Sequence, residues 1–148
     1  MPKIALIKRL EELKGLTKLN ESPIKGLALY QGYPVGVLVP RLLAYYYKSL
    51  NKIKMDELSL KDRKIIFEKV TIWVEELIKR GVYPINIYGG NIIVDTVPDL
   101  DVVLDGLDET GVVRIETKEY ADSLRKRGCD LEKESFDNLN KIKKLYLK

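Results

Sequence analysis

The chain has 148 residues, with 26 basic and 22 acidic side chains, a formal net charge of +4, no histidine and one cysteine. The missing histidine excludes Ser-His-Asp and Cys-His catalysis and histidine-ligated zinc. Cys129 alone cannot close an internal disulfide, which points to a reducing, cytoplasmic compartment. The length is that of one domain with a core of its own. No apolar run approaches the roughly 18 residues of a membrane span. The basic residues between Met1 and Leu10 sit inside an amphipathic pattern, unlike those of a signal peptide. The positive excess is too mild to argue for nucleic acid as a partner. Abundant Lys, Glu and Ile with a single glutamine, Gln31, is the composition of a thermophile or of an AT-rich genome.

Ile4, Leu6, Ile7, Leu10 and Leu13 recur at helical spacing, and Gly15 supplies a stop. The apolar runs Leu27 to Tyr30 and Val35 to Val39, split by Gln31-Gly32-Tyr33-Pro34, predict a β-hairpin that Pro40 ends. Leu42 to Leu50, with Tyr45, Tyr46 and Tyr47, is expected to be helical with one or two of these rings packed in the core. Ser59-Leu-Lys-Asp62 has the form of a capping box and opens a helix over residues 60 to 80. Ile66, Val70, Trp73 and Leu77 form its apolar stripe, flanked by Phe67, Val74 and Ile78, while Glu68, Glu75, Glu76, Lys79 and Arg80 lie mostly outside it. Gly81 ends the helix.

The stretch from Gly81 to Asp95 holds Pro84, Gly89 and Gly90 between that helix and a short apolar strand, Asn91 to Val94. Such a loop is suited to presenting side chains. Strands follow at Val102 to Leu104 and Val112 to Ile115, expected to neighbour each other across residues 105 to 111. Tyr120 to Arg127 predicts a helix stopped by Gly128, and Phe136 to Leu147 a last amphipathic helix with Leu139, Ile142, Lys143 and Tyr146 along one side. The order of elements predicts an α+β chain in which helices predominate.

The Gly81–Asp95 stretch resembles the catalytic loop of the eukaryotic-type protein kinases and their relatives, in the frame G-I-x-H-R-D-L-K-P-x-N-I-L-V-D, without a gap. The family's catalytic aspartate falls on Asn86, its histidine and arginine on Pro84 and Ile85, and its metal-binding asparagine on Asn91. Val102-Val-Leu-Asp105-Gly106 is similar to the strand ending in Asp-Phe-Gly, without the phenylalanine, and Ser135-Phe-Asp137-Asn-Leu139 to the start of αF, whose aspartate braces the catalytic loop. The resemblance runs from the family's αC helix, over Ile7-Lys-Arg-Leu10, through its fourth and fifth strands at the hairpin, to part of the C-lobe. It implies a reduced kinase-like fold, a mainly helical C-lobe with a small β-hairpin region, in one domain over 1–148 with an N-lobe remnant at 1–41 and a partial C-lobe at 42–148.

The departures bear on function. The family's Gly-rich loop and β3 lysine hold the ATP phosphates, and both would lie upstream of this sequence; the αC glutamate falls on or near Lys3. An amide at Asn86 is a poor proton acceptor. The resemblance therefore implies a catalytically inactive, pseudokinase-like binding or regulatory module with no cofactor expected. Its protein partner or second copy would pair with the sheet edge left open by the missing strands. Asn91 and Asp105 are the remnant that would hold Mg-ATP in the alternative of an atypical kinase; otherwise Asn91 ties the loop to its own backbone and Asp105 caps the turn before Gly106.

A different pattern overlaps the region. Pro98-Asp99 and Glu116-Thr-Lys118 on neighbouring strands are similar to the PD-(D/E)xK nuclease motif, in which two acids converge on a divalent metal and the lysine activates water; Glu68 is a further candidate ligand. The alternative reading of Glu116 and Lys118 is an exposed polar strand face.

Overall fold

The computed structural model describes residues 26–38, 47–96, 100–104 and 111–148. The predicted N-terminal helix, Tyr45, Tyr46, Asp99 and Asp105 lie outside the described residues. What is described is α+β: three α-helices and three small antiparallel sheets.

Strands β1 (Gly26–Tyr30) and β2 (Tyr33–Leu38) form the predicted hairpin. Its turn is Gln31-Gly32, both at positive φ, the backbone a two-residue hairpin turn needs to follow the strand twist. Next come β3 (Tyr47–Ser49) and a 3₁₀ turn over Leu50–Lys52. A helix was expected over this stretch. Instead Tyr47, Lys48 and Ser49 pair with Asp95, Val94 and Ile93, so a sheet edge takes up their backbone groups. Leu50 is then buried in the core.

Helix α1 (Leu60–Lys79) is the organising element. Ser59 Oγ accepts a hydrogen bond from Asp62 N at 3.0 Å and caps its first turn. The stripe Ile66, Val70, Trp73 and Leu77 is buried together with Phe67 and Val74. The indole N–H of Trp73 donates to Val102 O at 2.8 Å, so the ring enters the core without an unpaired donor. Glu76 departs from the expected polar face: it is buried and takes Lys79 at 3.1 Å and Arg80 at 3.2 Å. A buried carboxylate needs such partners. The helix ends at Gly81, whose φ of +74° suits a residue without a side chain.

Strand β4 (Val82–Tyr83) pairs with β7 (Arg114–Ile115), while β5 (Ile92–Asp95) lies between β3 and β6 (Val102–Leu104). The strands at 102–104 and 114–115 therefore belong to different sheets and are not the neighbours expected from the sequence. Just before β6, Leu100 adopts a positive φ of +53°. Lys69 of α1 holds this point, donating to Leu100 O at 3.2 Å and pairing with Asp101 at 3.4 Å.

Helix α2 (Lys118–Lys126) opens on Thr117, whose Oγ1 accepts from Tyr120 N at 3.2 Å. Gly128, at φ +90°, follows its end. Helix α3 (Leu131–Tyr146) is capped by Asp130 and buries Leu131, Ser135, Leu139 and Ile142. It starts five residues earlier than the apolar pattern indicated, because the cap and the first turn are polar and carry no periodicity. The main core gathers under α1, the β3–β5–β6 sheet and α3. A smaller cluster of Tyr83, Ala121 and Leu131 joins α2 and the start of α3 to β4.

Candidate functional site: the loop between α1 and β5

The loop follows from its ends. Val82 and Tyr83 are held against β7, Pro84 and Ile87 turn inward, and Asn86 and Tyr88 turn out. Ile87 is a core residue. The loop therefore presents alternate side chains and uses the others as anchors. The backbone N–H of Asn86 donates to Val112 O at 3.1 Å, tying the loop to the stretch before β7.

Two asparagines hold the loop's shape. Asn91 is buried to 5% exposure, and its Oδ1 accepts the N–H of Tyr88 at 3.0 Å while its own N–H reaches Tyr88 O at 2.9 Å. The carboxamide of Asn91 is thus turned onto the loop's own backbone. Asn138, on α3, meets Ile87 with both ends of its amide. Its Oδ1 accepts from Ile87 N at 3.0 Å and its Nδ2 donates to Ile87 O at 3.1 Å. The sequence pointed one residue away, to Asp137, but that side chain faces solvent and pairs with Lys133 at 2.8 Å. Helical phase separates the two: position 138 lies three residues from Ser135 and four from Ile142, both buried, whereas 137 does not share that face.

Gly89 and Gly90 have packing reasons. A side chain at Gly89 would meet the Tyr146 hydroxyl and Asn51, and one at Gly90 the ring of Tyr88. Burial raises the Tyr146 phenol above its ordinary value of 10.0, and its ring lies on Phe67 with centroids 5.9 Å apart.

Of the nuclease-like residues, Glu116 and Lys118 do not share a strand face, and Asp99 lies outside the described residues. β7 ends at Ile115, and Lys118 opens α2 instead of sharing a strand face with Glu116. Thr117 caps a helix here, which turns the chain off the strand. Glu116 accepts from Arg114 Nε at 2.8 Å, and this hydrogen bond raises the arginine's pKa and holds its charge. Glu68 is exposed on another face of α1, beside Phe67, Thr71 and Ile72. Among the described residues no group of three acidic or cysteine side chains is arranged to hold a metal ion.

Glu116 and Lys118 instead border a cleft of about 500 Å³ between the end of α1, the β4–β7 pair and α2, with Tyr83 in its wall. Sequence reasoning missed Tyr83 and Asn138. Compared with known proteins, the chain matches no family model, no curated protein and no solved structure. Among the described residues no helix is long and apolar enough to cross a membrane.

Proposed function

We propose that the chain is a catalytically inactive, kinase-like binding or regulatory module. The observation that carries this is the bracing of the loop by Asn138 at Ile87, directly after Asn86. The loop resembling a catalytic loop is hydrogen-bonded from a later helix, at the segment likened to αF, yet the residue at its chemical position is an amide. Asn86 is exposed and offers no carboxylate to accept a hydroxyl proton. The amide oxygen of Asn91, which matches the family's metal-binding asparagine, accepts Tyr88 N–H. A braced loop without a base fits recognition better than phosphoryl transfer, which needs metal and phosphate ligands in position.

The partner is a second protein chain, in the first instance a copy of this one, paired along the β1–β2 hairpin. No described strand pairs with either outer edge of that hairpin, and its tip exposes Leu29 at 61% and Tyr30 at 66%. An unpaired edge with apolar side chains beside it is a template for strand addition.

Two measurements test this. Thermal unfolding with millimolar Mg²⁺ and ATP is expected to leave the midpoint unchanged; a ligand at 100 times its Kd would add about 2.7 kcal/mol, and a shift abolished by Asn91→Ala would reverse the conclusion in favour of an active nucleotide site. Light scattering after size exclusion is expected to show a dimer that Tyr30→Lys dissociates. A strictly monomeric protein that also captures no other chain would remove the edge-pairing proposal.

A further inference from the structure

We infer that the end of the molecule where α1 begins and α3 finishes binds peripherally to an anionic membrane surface. The inference is independent of the kinase-like reading and of the hairpin edge. Two hydrogen bonds bring the helix ends together. Arg63, in the first turn of α1, donates to Tyr146 O at 2.8 Å and to Lys148 O at 3.4 Å. The turn over Leu50–Lys52 lies at the same end, since Gly89 is packed against both Asn51 and the Tyr146 hydroxyl.

Three large aliphatic side chains stand out from this end. Leu145, in the last turn of α3, is 64% exposed. Leu60, the first residue of α1, is 42% exposed, and Met55, in the 3₁₀ turn just before it, 41%. One exposed leucine is ordinary on a protein surface. Three at one end, set among lysines, have the composition of a surface that sits at the boundary between headgroups and acyl chains.

The lysines are the second observation. Residues 139–148 hold four of them and no acidic residue. Lys52, Lys54, Lys61 and Lys64 are exposed on the segments beside them. None of the eight makes an ion pair with a described residue. The carboxylates at this end are Asp56, Glu57 and Asp62, too few to neutralise them. In the first half of α3, by contrast, Asp130 and Glu132 have Arg125, and Asp137 has Lys133. The helix dipole accounts for lysines at the end of α3 but not for Lys61 and Lys64, which stand in the first two turns of α1 where positive charge is unfavourable. Their charge is thus free for an outside anion.

Anionic lipid matches both observations where a nucleic acid matches one. Phosphate groups of either would attract the lysines, but exposed leucine and methionine gain only by leaving water. Lysine stems can lie along the headgroup layer with the ammonium groups in it, and Arg63, the cation suited to forked contacts with bases, is spent on carbonyls.

The test is co-sedimentation of the full chain with vesicles of equal parts phosphatidylcholine and phosphatidylglycerol, and with vesicles of phosphatidylcholine alone. Saturable binding to the anionic vesicles is expected, lost in about 0.5 M salt, with little binding to the neutral ones. Lys144→Gln with Lys148→Gln should weaken it roughly twentyfold, about fivefold for each charge. Leu60→Ser with Leu145→Ser should weaken it about tenfold or more. Lys79→Gln, at the opposite end of α1 about 30 Å away, should leave it unchanged. Circular dichroism melts confirm that each variant is folded. No binding to anionic vesicles overturns the inference, and so does an equal loss in Lys79→Gln, which would make the attraction one of overall charge. Unaltered binding in the leucine variant, with salt-sensitive binding to a DNA duplex, would make this a nucleic-acid surface and overturn it as well.

Discussion

Asn138 and Ile87 are 51 residues apart, yet the side chain of one replaces a missing backbone partner for both polar groups of the other. Ile87 sits in a loop, where neither its N–H nor its carbonyl has a ladder to join, and its side chain is in the core. A buried loop residue must find such partners or be penalised for lacking them. The amide of Asn138 is shaped for the task, with one donor and one acceptor side by side.

Asn138→Ala should therefore destabilise the protein by about 1–3 kcal/mol, the cost of leaving buried polar groups unpaired. Amide exchange at residues 86–91 should quicken more than exchange in α1. Asn138→Asp keeps the acceptor for Ile87 N but sets a carboxylate against Ile87 O, and it should not rescue. Denaturant melts and hydrogen exchange on the three proteins check this; unchanged exchange in the loop would mean that the bracing is incidental.

Gly81 and Gly128 both end helices at positive φ, +74° and +90°, but they differ in their surroundings. A Cβ at Gly128 meets open space, whereas one at Gly81 would lie 2.5 Å from the carbonyl oxygen of Glu116. Gly128→Ala should cost only the left-handed backbone term, about 1–2 kcal/mol. Gly81→Ala should cost clearly more, because Glu116 N also donates to Gly81 O at 3.0 Å and the two chains cannot part without losing that bond. Comparing the two denaturation midpoints tests the difference.

Gly89 and the Tyr146 hydroxyl form a contact that is open to a double-mutant cycle. Gly89→Ala should destabilise by about 1–3 kcal/mol through overpacking. Tyr146→Phe removes the nearest atom and should recover part of that loss. It should not recover all, since Asn51 Cβ would still lie 3.1 Å from the new methyl group. Additive effects in the cycle would show that the two sites do not touch.

The alkaline limb of stability follows from Tyr146 and Tyr83. Both phenols are raised above 10.0, Tyr146 by burial, Tyr83 by burial and then by Glu132. Above pH 10 the unfolded chain loses these protons while the folded chain keeps them, so the unfolded state binds fewer protons and stability falls as pH rises. Their contribution is whole below the ordinary phenol value and is lost as pH climbs through the raised ones. Tyr146→Phe should flatten the decline between pH 9 and 11, measured by denaturant unfolding at fixed ionic strength. An equally steep slope in that variant would assign the decline to other groups.

Much of the local structure was legible from the residues alone. The stripe Ile66, Val70, Trp73 and Leu77, the cap at Ser59 and the stop at Gly81 specify α1 within one turn, and Gln31-Gly32 specifies the hairpin turn. These signals depend on neighbours a few residues away: apolar period, a hydroxyl beside free N–H groups, a glycine where φ is positive. They also include the asparagine at 91, whose bond to Tyr88 spans only three residues.

Tertiary structure decided the rest. Periodicity reports that a strand has an apolar face, but not which strand it will pair with. Thus β4 found β7 and β5 found β3 and β6, against the expectation that 102–104 and 112–115 would be neighbours. Tyr47–Ser49 became a strand because β5 offered it an edge. Glu76 lies inward because Lys79 and Arg80 neutralise it there, and Lys118 left the strand for a helix because Thr117 could cap one. The brace at Asn138 and the burial of Tyr83 exist only once α3 and α2 have packed against β4. Their chemistry depends on contacts across tens of residues, which packing alone brings together.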